Sequence, residues 1–249
     1  MEADIRVMEV VDSTNIRVSE LAEEGAAEGT CVVSFKQLQG QGRSGRTFFS
    51  PEGGNLYMSL LLRPRSQQVC EHITVAAAVA SAIAIEKNFN IHCGIKWVND
   101  LIYNKKKVGG MVAQAHKYGS ADFYVVLGIG INIYESGDIP EEIEGRYGSL
   151  MERKCDLDKA DANGAAVELA RQIIREFSAF YDDFEGSGCV QKYRELSVVI
   201  GHEVSYLYKD QEIKAKVMDI DHDGGIVLDM NGIVRTYRDG EIRIKLEDK

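Results

Sequence analysis

The pattern of hydrophobic and polar positions predicts a chain of mixed strands and helices. Apolar runs of strand length, bounded by glycine, asparagine and aspartate, predict strands at residues 7–11, 31–35, 56–62, 96–103, 107–114 and 123–133. Residues 163–184 carry apolar positions at spacings of three and four, which is typical of an amphipathic helix. Further helices are predicted from Ile16 to a stop at Gly25 and over residues 71–88. This order favours an α+β fold with helices packed on a sheet.

The pattern changes after the sequence Gly186-Ser187-Gly188. Short strands are predicted at residues 204–208, 214–220, 226–229 and 233–237, and Asn231-Gly232 is a strong hairpin turn. Such closely spaced short strands favour a small β-barrel. We therefore predict a catalytic or binding domain at residues 1–188 and a small β-barrel domain at residues 189–249.

Composition indicates a water-soluble globular protein of the cytoplasm. The hydrophobic fraction is 45%, the charged fraction is 27%, and the formal net charge is -10, which argues against a general nucleic-acid-binding surface. The longest apolar run, residues 75–85, is too short to span a bilayer, and the acidic N-terminus does not resemble a signal peptide. The five cysteines are widely spaced, which indicates free thiols in a reducing compartment.

A glycine loop connects the second and third predicted strands over residues 36–55, where no periodic pattern is present. Gly40 to Gly45 matches G-x-G-x-x-G, but a strand follows where a dinucleotide site needs a helix, so that interpretation is rejected. The loop carries Lys36, Arg43 and Arg46 on an acidic protein. A plain surface loop and a mobile loop that closes over an anion both fit this composition.

Polar residues interrupt two other apolar regions. Lys96, Asn99 and Asp100 adjoin predicted strands, and a hairpin at Asn104-Lys105 would place Asp100 and Lys107 on facing strands. Two glycines follow Lys107 and allow a ligand to approach the backbone. Lys105 and Lys106 fit a solvated turn.

Alternating glycines interrupt the strand that ends at Asn132. Gly128 and Gly130 indicate either a β-bulge or a ligand against bare backbone, and the amide of Asn132 suits a planar heterocycle such as adenine. Near the N-terminus, the plain role of Ser13, Thr14 and Asn15 is capping of the first helix. The histidines show no metal spacing, so any metal ligands stay unknown.

Taken together, these segments resemble the biotin protein ligases, also called biotin–[acetyl-CoA-carboxylase] ligases. The resemblance runs from about Val11 to the C-terminus in the family's order. It rests on Asp12-Ser13-Thr14-Asn15, GQGRSGRTFFSPEGGNLYMSLLLRP (40–64), IKWVND (95–100), KVGGM (107–111), GIGIN (128–132) and the β-rich tail with Gly240-Glu241-Ile242.

The resemblance implies the fold and the reaction. It implies an α+β catalytic domain, with a mixed β-sheet backed by helices as in class II synthetases, plus a small C-terminal β-barrel. It also implies a cytoplasmic ligase that joins biotin to ATP with Mg²⁺, forms biotinyl-5′-AMP, and transfers biotin to a lysine of a biotin carboxyl carrier domain. The family pattern starts almost at Met1, so no N-terminal DNA-binding domain and no nucleic-acid partner are expected, whereas a homodimer is possible.

The resemblance also implies roles for individual residues. Lys107, Asp100 and Arg43 are expected to be catalytic, with Asp100 receiving or orienting the proton of the acceptor lysine. The biotin-binding residues are expected to be Ser13, Thr14, Asn15, Gln37, Gly40, Gln41, Lys107, Gly110, Gly128 and Gly130. The ATP- and adenylate-binding residues are expected to be Arg43, Arg46, Lys96, Asn99 and Asn132. Four positions depart from the family pattern: Gln41 replaces a common arginine, Phe48 a tryptophan, Val98 a proline and Gln114 a glutamate.

Two other functions are considered from the sequence. One is a lipoate–protein ligase or octanoyltransferase of related fold, although those enzymes lack the arginine–glycine loop and the K-W-x-N-D element. The other is a catalytically idle protein that senses biotin or its adenylate, against which the presence of Lys107 and Asp100 argues.

Overall fold

The computed structural model describes residues 1–118, 122–152, 158–208, 211–238 and 244–246. The strands are β1 (Asp4–Met8), β2 (Thr30–Ser34), β3 (Leu56–Leu62), β4 (Gly94–Lys96), β5 (Asp100–Tyr103), β6 (Lys106–Tyr118), β7 (Asp122–Ile131), β8 (Glu203–Tyr208), β9 (Gln211–Ile220), β10 (Ile226–Met230), β11 (Ile233–Tyr237) and β12 (Ile244–Leu246). The helices are α1 (Thr14–Glu23), α2 (Gln67–Phe89), α3 (Glu141–Glu144), α4 (Lys159–Asp182) and α5 (Cys189–Leu196), and a short 3-10 helix covers Arg43–Gly45.

The larger sheet has seven strands in the order β1-β2-β3-β7-β6-β5-β4. β1 pairs with β2 in parallel, and the other neighbours pair antiparallel, so the sheet is mixed. The remaining described strands form a five-stranded antiparallel sheet in the order β11-β10-β9-β8-β12. The mixed sheet backed by helices confirms the predicted fold class.

Helices cover both faces of β3 and β7, and successive side chains of each strand pack on opposite faces. One face of β2, β3 and β7 presents Val33, Leu60 and Leu127 to the main core with α2 and α4. The intervening residues Val32, Leu61 and Val126 form a separate cluster under α1. The strands are therefore continuous apolar runs, as expected for strands buried on two sides.

Helix α2 lies at the centre of the main core. Its middle is rich in alanine, and the side chains from Val75 to Ala80 are almost fully buried. Small side chains let α2 approach both the sheet and α4. In the part of the chain that the structure describes, no helix combines the length and apolarity needed to cross a membrane.

The turn between β9 and β10 joins the second sheet to the first. Trp97 donates its indole N–H to the carbonyl oxygen of Gly224 at 3.0 Å. A Cβ at Gly224 would lie 2.5 Å from Val75 Cγ2, and the residue has φ of +83°, so glycine suits this close approach. The tail is thus attached directly behind the segment that contains Lys96 and Asp100.

The elements differ from the predicted ones at several boundaries. The first strand is Asp4–Met8 and not residues 7–11, because the parallel register with β2 pairs Asp4 with Thr30 and Met8 with Ser34. The predicted strand 96–103 is two short antiparallel strands, since the chain turns at Trp97, which is fixed by Gly224. Helix α5 and strand β12 were not predicted, and residues 240–242 lie outside the described part.

The described cysteines are Cys31, Cys70, Cys93 and Cys189, and none of the four forms a disulfide bond, as predicted. Burial raises the pKa of the Cys31, Cys93 and Cys189 thiols to about 12. Cys155 lies outside the described residues.

Candidate active site

The face of the larger sheet that carries α1 also collects most of the predicted site residues. The ladder pairs Ser59 with Gly128, Gly110 with Gly130 and Asp100 with Gly110. Directly paired residues point to the same face. The glycines therefore leave a strip of bare backbone between the polar side chains of Ser59 and Asp100.

The start of helix α1 faces one end of this strip. Ser59 Oγ lies 2.7 Å from Thr14 Oγ1 and 2.6 Å from Asn15 Oδ1. The backbone N–H and the hydroxyl of Thr14 both donate to Gln37 Oε1, at 2.8 and 3.1 Å. A Cβ at Gly128 would collide with Asn15 Oδ1, so only glycine permits this packing.

This cluster has fewer hydrogen-bond donors than acceptors. The Thr14 hydroxyl donates to Gln37, which leaves the single Ser59 hydrogen to serve either Thr14 Oγ1 or Asn15 Oδ1. One buried acceptor therefore stays available to an N–H group of a ligand. The cluster suits a small, uncharged molecule with amide-like N–H groups.

Ser13 occupies the N-cap position of α1, but its side chain makes no capping hydrogen bond. Its hydroxyl oxygen is buried and has no hydrogen-bond partner, and the residue is 1% exposed. The plain capping role is therefore wrong for this residue. This buried hydroxyl has no hydrogen-bond partner, and it lies beside a cluster that lacks a hydrogen-bond donor. Both features are consistent with contact to a ligand.

The glycine loop folds over the strip as a compact hairpin. Gln41 bridges to Thr47, and the backbone N–H of Phe48 donates to the carbonyl of Gly40 at 2.8 Å. The Phe48 ring lies so close to Gly130 that a Cβ there would be 2.5 Å from the ring. The loop is thus fixed by Phe48 against the backbone that the glycines expose.

Cationic side chains lie at the other end of the strip. Lys107 Nζ is 2.5 Å from Asp100 Oδ1, as the predicted hairpin required, and 5.9 Å from the centroid of the Phe48 ring. Burial lowers the pKa of Lys96, and the positive charges of Lys107 and Arg146 lower it further, against the opposing effect of Asp100. The charges of Lys107 and Arg146 are thus close enough to repel that of Lys96, and such a group of cations suits an anion with several charges.

Arg43 extends from the loop to the β4–β5 turn. Its guanidinium donates to Asn99 Oδ1 at 2.8 Å, and Asn99 Nδ2 donates to the carbonyl of Met111 at 2.7 Å. Asn99 therefore holds Arg43 in place with one side of its amide. Arg46 is exposed, and its carbonyl accepts a bond from Gly42 within the loop.

Asn132 is placed beside the segment at Gly148. Its Nδ2 donates to the Gly148 carbonyl at 2.9 Å, whereas its Oδ1 is buried without a hydrogen-bond partner. The residue is 3% exposed. A free acceptor at this position suits an exocyclic amino group such as that of adenine.

The structure adds site residues that the sequence patterns did not indicate. Ser59 and Ser50 support the Thr14–Gln37 cluster, with Gln37 Nε2 donating to Ser50 Oγ at 2.9 Å. Arg146 reaches the cationic end because its carbonyl accepts from the backbone N–H of Lys107 at 2.8 Å. No motif distinguishes Arg146 in the sequence. Ser59 had a detectable signal, since it is the polar residue within the apolar run of β3.

Two other features lie away from this face. A cavity of about 270 Å³ between α2 and the end of α4 is lined by residues that include His72, Phe180 and Phe184. Among the described residues, Asp221, His222 and Asp223 form the one group that could hold a metal ion, but Arg238 pairs with both carboxylates at 2.7 and 3.1 Å. Both carboxylates are therefore already engaged by one guanidinium.

Comparison with known proteins places this geometry in context. The family model of the biotin/lipoate A/B protein ligase family matches residues 7–132, about half of the chain. The bifunctional ligase/repressor BirA of Bacillus subtilis is 32% identical over 235 residues, covering 92% of this chain and 70% of that protein. BirA of Escherichia coli is 28% identical, over 98% of this chain and 75% of that protein.

A solved structure shares the fold along almost the whole chain. The biotin protein ligase from Aquifex aeolicus in complex with biotin and ATP has a TM-score of 0.76 and 26% identity. The match covers 98% of this chain and 99% of that one. The similarity therefore includes both sheets and the face described above.

Proposed function

This chain belongs to the biotin/lipoate A/B protein ligase family, and on that premise we propose that it is an ATP-dependent biotin–protein ligase. In this proposal it forms biotinyl-5′-AMP from biotin and ATP and then transfers biotin to a lysine of a biotin carboxyl carrier domain. Similar proteins support it, including the biotin–[acetyl-CoA-carboxylase] ligase of Mycobacterium tuberculosis, which is 26% identical over 92% of this chain.

One observation carries the proposal: an uncharged hydrogen-bonding cluster and a cationic group lie at opposite ends of one bare strip of sheet. Biotin has an uncharged ureido ring at one end and a carboxylate at the other. The free acceptor at Thr14 and Asn15 suits a ring N–H, whereas Lys107 at the other end suits the carboxylate. The glycines at 110, 128 and 130 place no side chain between the two ends, so that Asn15, Phe48 and Lys107 lie directly against the backbone there.

In the first step, a biotin carboxylate oxygen attacks the α-phosphorus of ATP. A bond forms between that carboxylate oxygen and the α-phosphorus, the α–β phosphoanhydride bond breaks, and pyrophosphate leaves with the electron pair. Both reactants are anions, so Lys107, Lys96 and Arg43 stabilise the transition state by offsetting their repulsion and holding them in line.

In this proposal, Mg²⁺ would be bound mainly by the phosphates of ATP. Mg²⁺ binds phosphate oxygens and water with few protein ligands, and it supplies further neutralisation of the phosphates. Asp100, paired with Lys107, is the carboxylate closest to the cationic end in the contacts described. The group at Asp221 to Asp223 does not fit this role, because Arg238 occupies its carboxylates.

In the second step, the amine of the acceptor lysine attacks the biotinyl carbonyl, and AMP leaves. The amine loses one proton as the amide bond forms. Asp100 is half-buried at the edge of the strip and is positioned to receive or orient that proton while Lys107 stays beside it. The glycine loop closes over the adenylate and excludes water.

Four further parts of the proposal concern the protein's surroundings. The acceptor is the carrier domain of acetyl-CoA carboxylase or a similar carboxylase, and nucleic acid is not a partner. A homodimer is proposed on the family resemblance alone, and a cytoplasmic location is proposed on that resemblance and on the widely spaced cysteines.

The proposal is tested by transfer to a purified carrier domain of acetyl-CoA carboxylase. We expect biotin attachment that requires ATP, detected by intact mass. With preformed biotinyl-5′-AMP, Asp100→Asn should slow transfer about 100-fold or more, whereas Asp219→Asn, which removes a surface partner of Arg194, should not. Attachment of lipoate in place of biotin would contradict the proposal, and wild-type transfer by Asp100→Asn would contradict the role of Asp100.

A further inference from the structure

Gln114 on β6 connects two parts of the candidate site with the two ends of one amide. Its Oε1 accepts a hydrogen bond from Asn15 Nδ2 at 2.8 Å. Its Nε2 donates to Gln41 Oε1 at 3.3 Å. Gln114 is paired with Val126, so its side chain points to the face that carries α1 and the glycine strip.

The orientation of Asn15 depends on this contact. Asn15 is 4% exposed and packs against Gly128, so its amide has little freedom to move. The oxygen of Gln114 draws the Asn15 nitrogen toward β6, which turns the Asn15 oxygen toward Ser59. If that partner were lost, the amide of Asn15 could rotate and present a donor where the cluster offers an acceptor.

The other end of the Gln114 amide contacts the glycine loop. Gln41 bridges to Thr47 across the loop hairpin, and the backbone N–H of its neighbour Gly42 donates to the carbonyl of Arg46 at 2.7 Å. This hairpin carries Arg43 and Phe48. A contact that fixes Gln41 therefore restrains the part of the loop that covers the cationic end.

Gln41 and Gln114 contact each other through their side-chain amides, although they lie on different elements. Each amide has both a donor and an acceptor, so Gln114 can serve Gln41 and Asn15 at the same time.

We propose that Gln114 is a positioning residue that couples closure of the glycine loop to the biotin pocket through the hydrogen-bonded chain Gln41–Gln114–Asn15. This inference rests on the proposed function. In this proposal, a ring N–H of biotin donates to Asn15 and so fixes the orientation of the three hydrogen-bonded amides. That orientation also keeps the glycine loop closed. Gln114 acts through its neighbours and does not contact the reacting atoms.

The test compares Gln41→Met, Gln114→Met, the double variant and Gln114→Glu in two assays. The first assay is biotin-dependent exchange of labelled pyrophosphate into ATP, which gives the KM for biotin. The second is the rate at which biotinyl-5′-AMP is released from the protein. Gln191→Met is the matched control, since it removes a glutamine contact of the same 3.3 Å length, to Glu195, on a surface helix. Thermal melts establish that each variant is folded.

We expect Gln114→Met to raise the KM for biotin and speed adenylate release, each by about threefold to tenfold. Gln41→Met should speed release, and the double variant should release adenylate no faster than Gln114→Met. Gln114→Glu should restore both values, because its carboxylate accepts from Asn15 and from a rotated Gln41 amide. Gln191→Met should match the wild type.

Two results would overturn the coupling. In the first, the effects of the two methionine variants on release multiply in the double variant, which means that they act independently. In the second, Gln114→Glu is as impaired as Gln114→Met although its carboxylate can accept both hydrogen bonds, which means that these two hydrogen bonds do not account for the effect. If either result is found while the wild type exchanges normally, it contradicts the coupling but not the proposed function. If the wild type shows no exchange, the proposed function itself is contradicted.

Discussion

Lys107 and Asp100 form an ion pair of 2.5 Å between neighbouring strands, on the face where Gly110 and Gly130 expose the sheet backbone. A bulge between Leu101 and Ile102 shifts the register, so that Asp100 opposes Gly110 and Lys107 opposes Ile102. The Lys107 side chain lies beside Gly110, where a Cβ would be 3.1 Å from its Nζ. The pair is thus held over bare backbone, where both groups are half-buried and open to a ligand.

Loss of the Lys107 charge should abolish most adenylate formation. Lys107→Met removes the cation that offsets the repulsion between carboxylate and phosphate, so we expect the exchange rate to fall about 100-fold to 1,000-fold. Lys105→Met is the control, because Lys105 is an exposed residue of the hairpin turn. If both variants exchanged at the wild-type rate, Lys107 would have no catalytic role.

The alkaline limit of activity should report the charge of Lys96. Burial and the neighbouring cations lower the pKa of Lys96, so its charge is lost at a lower pH than for an ordinary lysine. We therefore expect kcat/KM for ATP to fall on the alkaline side, and Lys96→Arg to move that fall to higher pH, since arginine stays protonated. If the alkaline limit of kcat/KM is the same in Lys96→Arg as in the wild type, the titrating group is a residue other than Lys96.

The lowered pKa of Lys96 affects the stability of the fold in the direction opposite to its effect on activity. Between the lowered pKa in the folded state and the ordinary pKa in the unfolded state, the unfolded chain binds more protons at Lys96. The free energy of unfolding attributable to this residue therefore rises with pH in that window. Denaturant melts of the wild type and Lys96→Met across alkaline pH measure the difference.

Gly128 should not tolerate a side chain. A Cβ at this position would collide with Asn15 Oδ1, so Gly128→Ala must displace Asn15 from Ser59 and Gln114. We expect an overpacking cost of roughly 1–3 kcal/mol in the free energy of unfolding and weaker biotin binding by isothermal titration calorimetry. Gly137→Ala is the control, because nothing lies within 4 Å of its Cβ. Equal biotin affinity in both variants would contradict the position of the ring pocket.

The buried thiols should resist alkylation in the folded protein. Burial raises the pKa of Cys31, Cys93 and Cys189 to about 12, so their thiolate fraction near neutral pH is very small. We expect iodoacetamide to leave these three unmodified until denaturant is added, as measured by peptide mass spectrometry. Rapid labelling of any of them in the native protein would contradict the packing of the core.

The sequence allowed the fold class, most strands and the main motifs to be predicted, because they depend on local periodicity and turns. The third strand and the hairpin at Asn104-Lys105 follow directly from apolar runs and turn residues. The turn after β4 could not be predicted, since it depends on a hydrogen bond from Trp97 to Gly224, 127 residues away. Local patterns do not contain that information.

Part of the candidate site could likewise be predicted from the sequence. The contact between Asp100 and Lys107 follows from strand pairing and was predicted, and it is confirmed. Arg146 and Ser59 were missed because their contributions arise from the packing of a distant loop and from the face of one buried strand. The contact between Gln41 and Gln114 likewise joins residues 73 positions apart.

The most direct test of the proposed function is biotin-dependent exchange of labelled pyrophosphate into ATP by the purified wild-type protein, with lipoate and octanoate assayed in parallel. We predict exchange with biotin and not with either fatty acid, because the cluster around Thr14 and Asn15 offers a hydrogen-bond acceptor to the ureido ring. Exchange with lipoate or octanoate but not biotin, or tight biotin binding without any exchange, would contradict the assignment as a biotin–protein ligase.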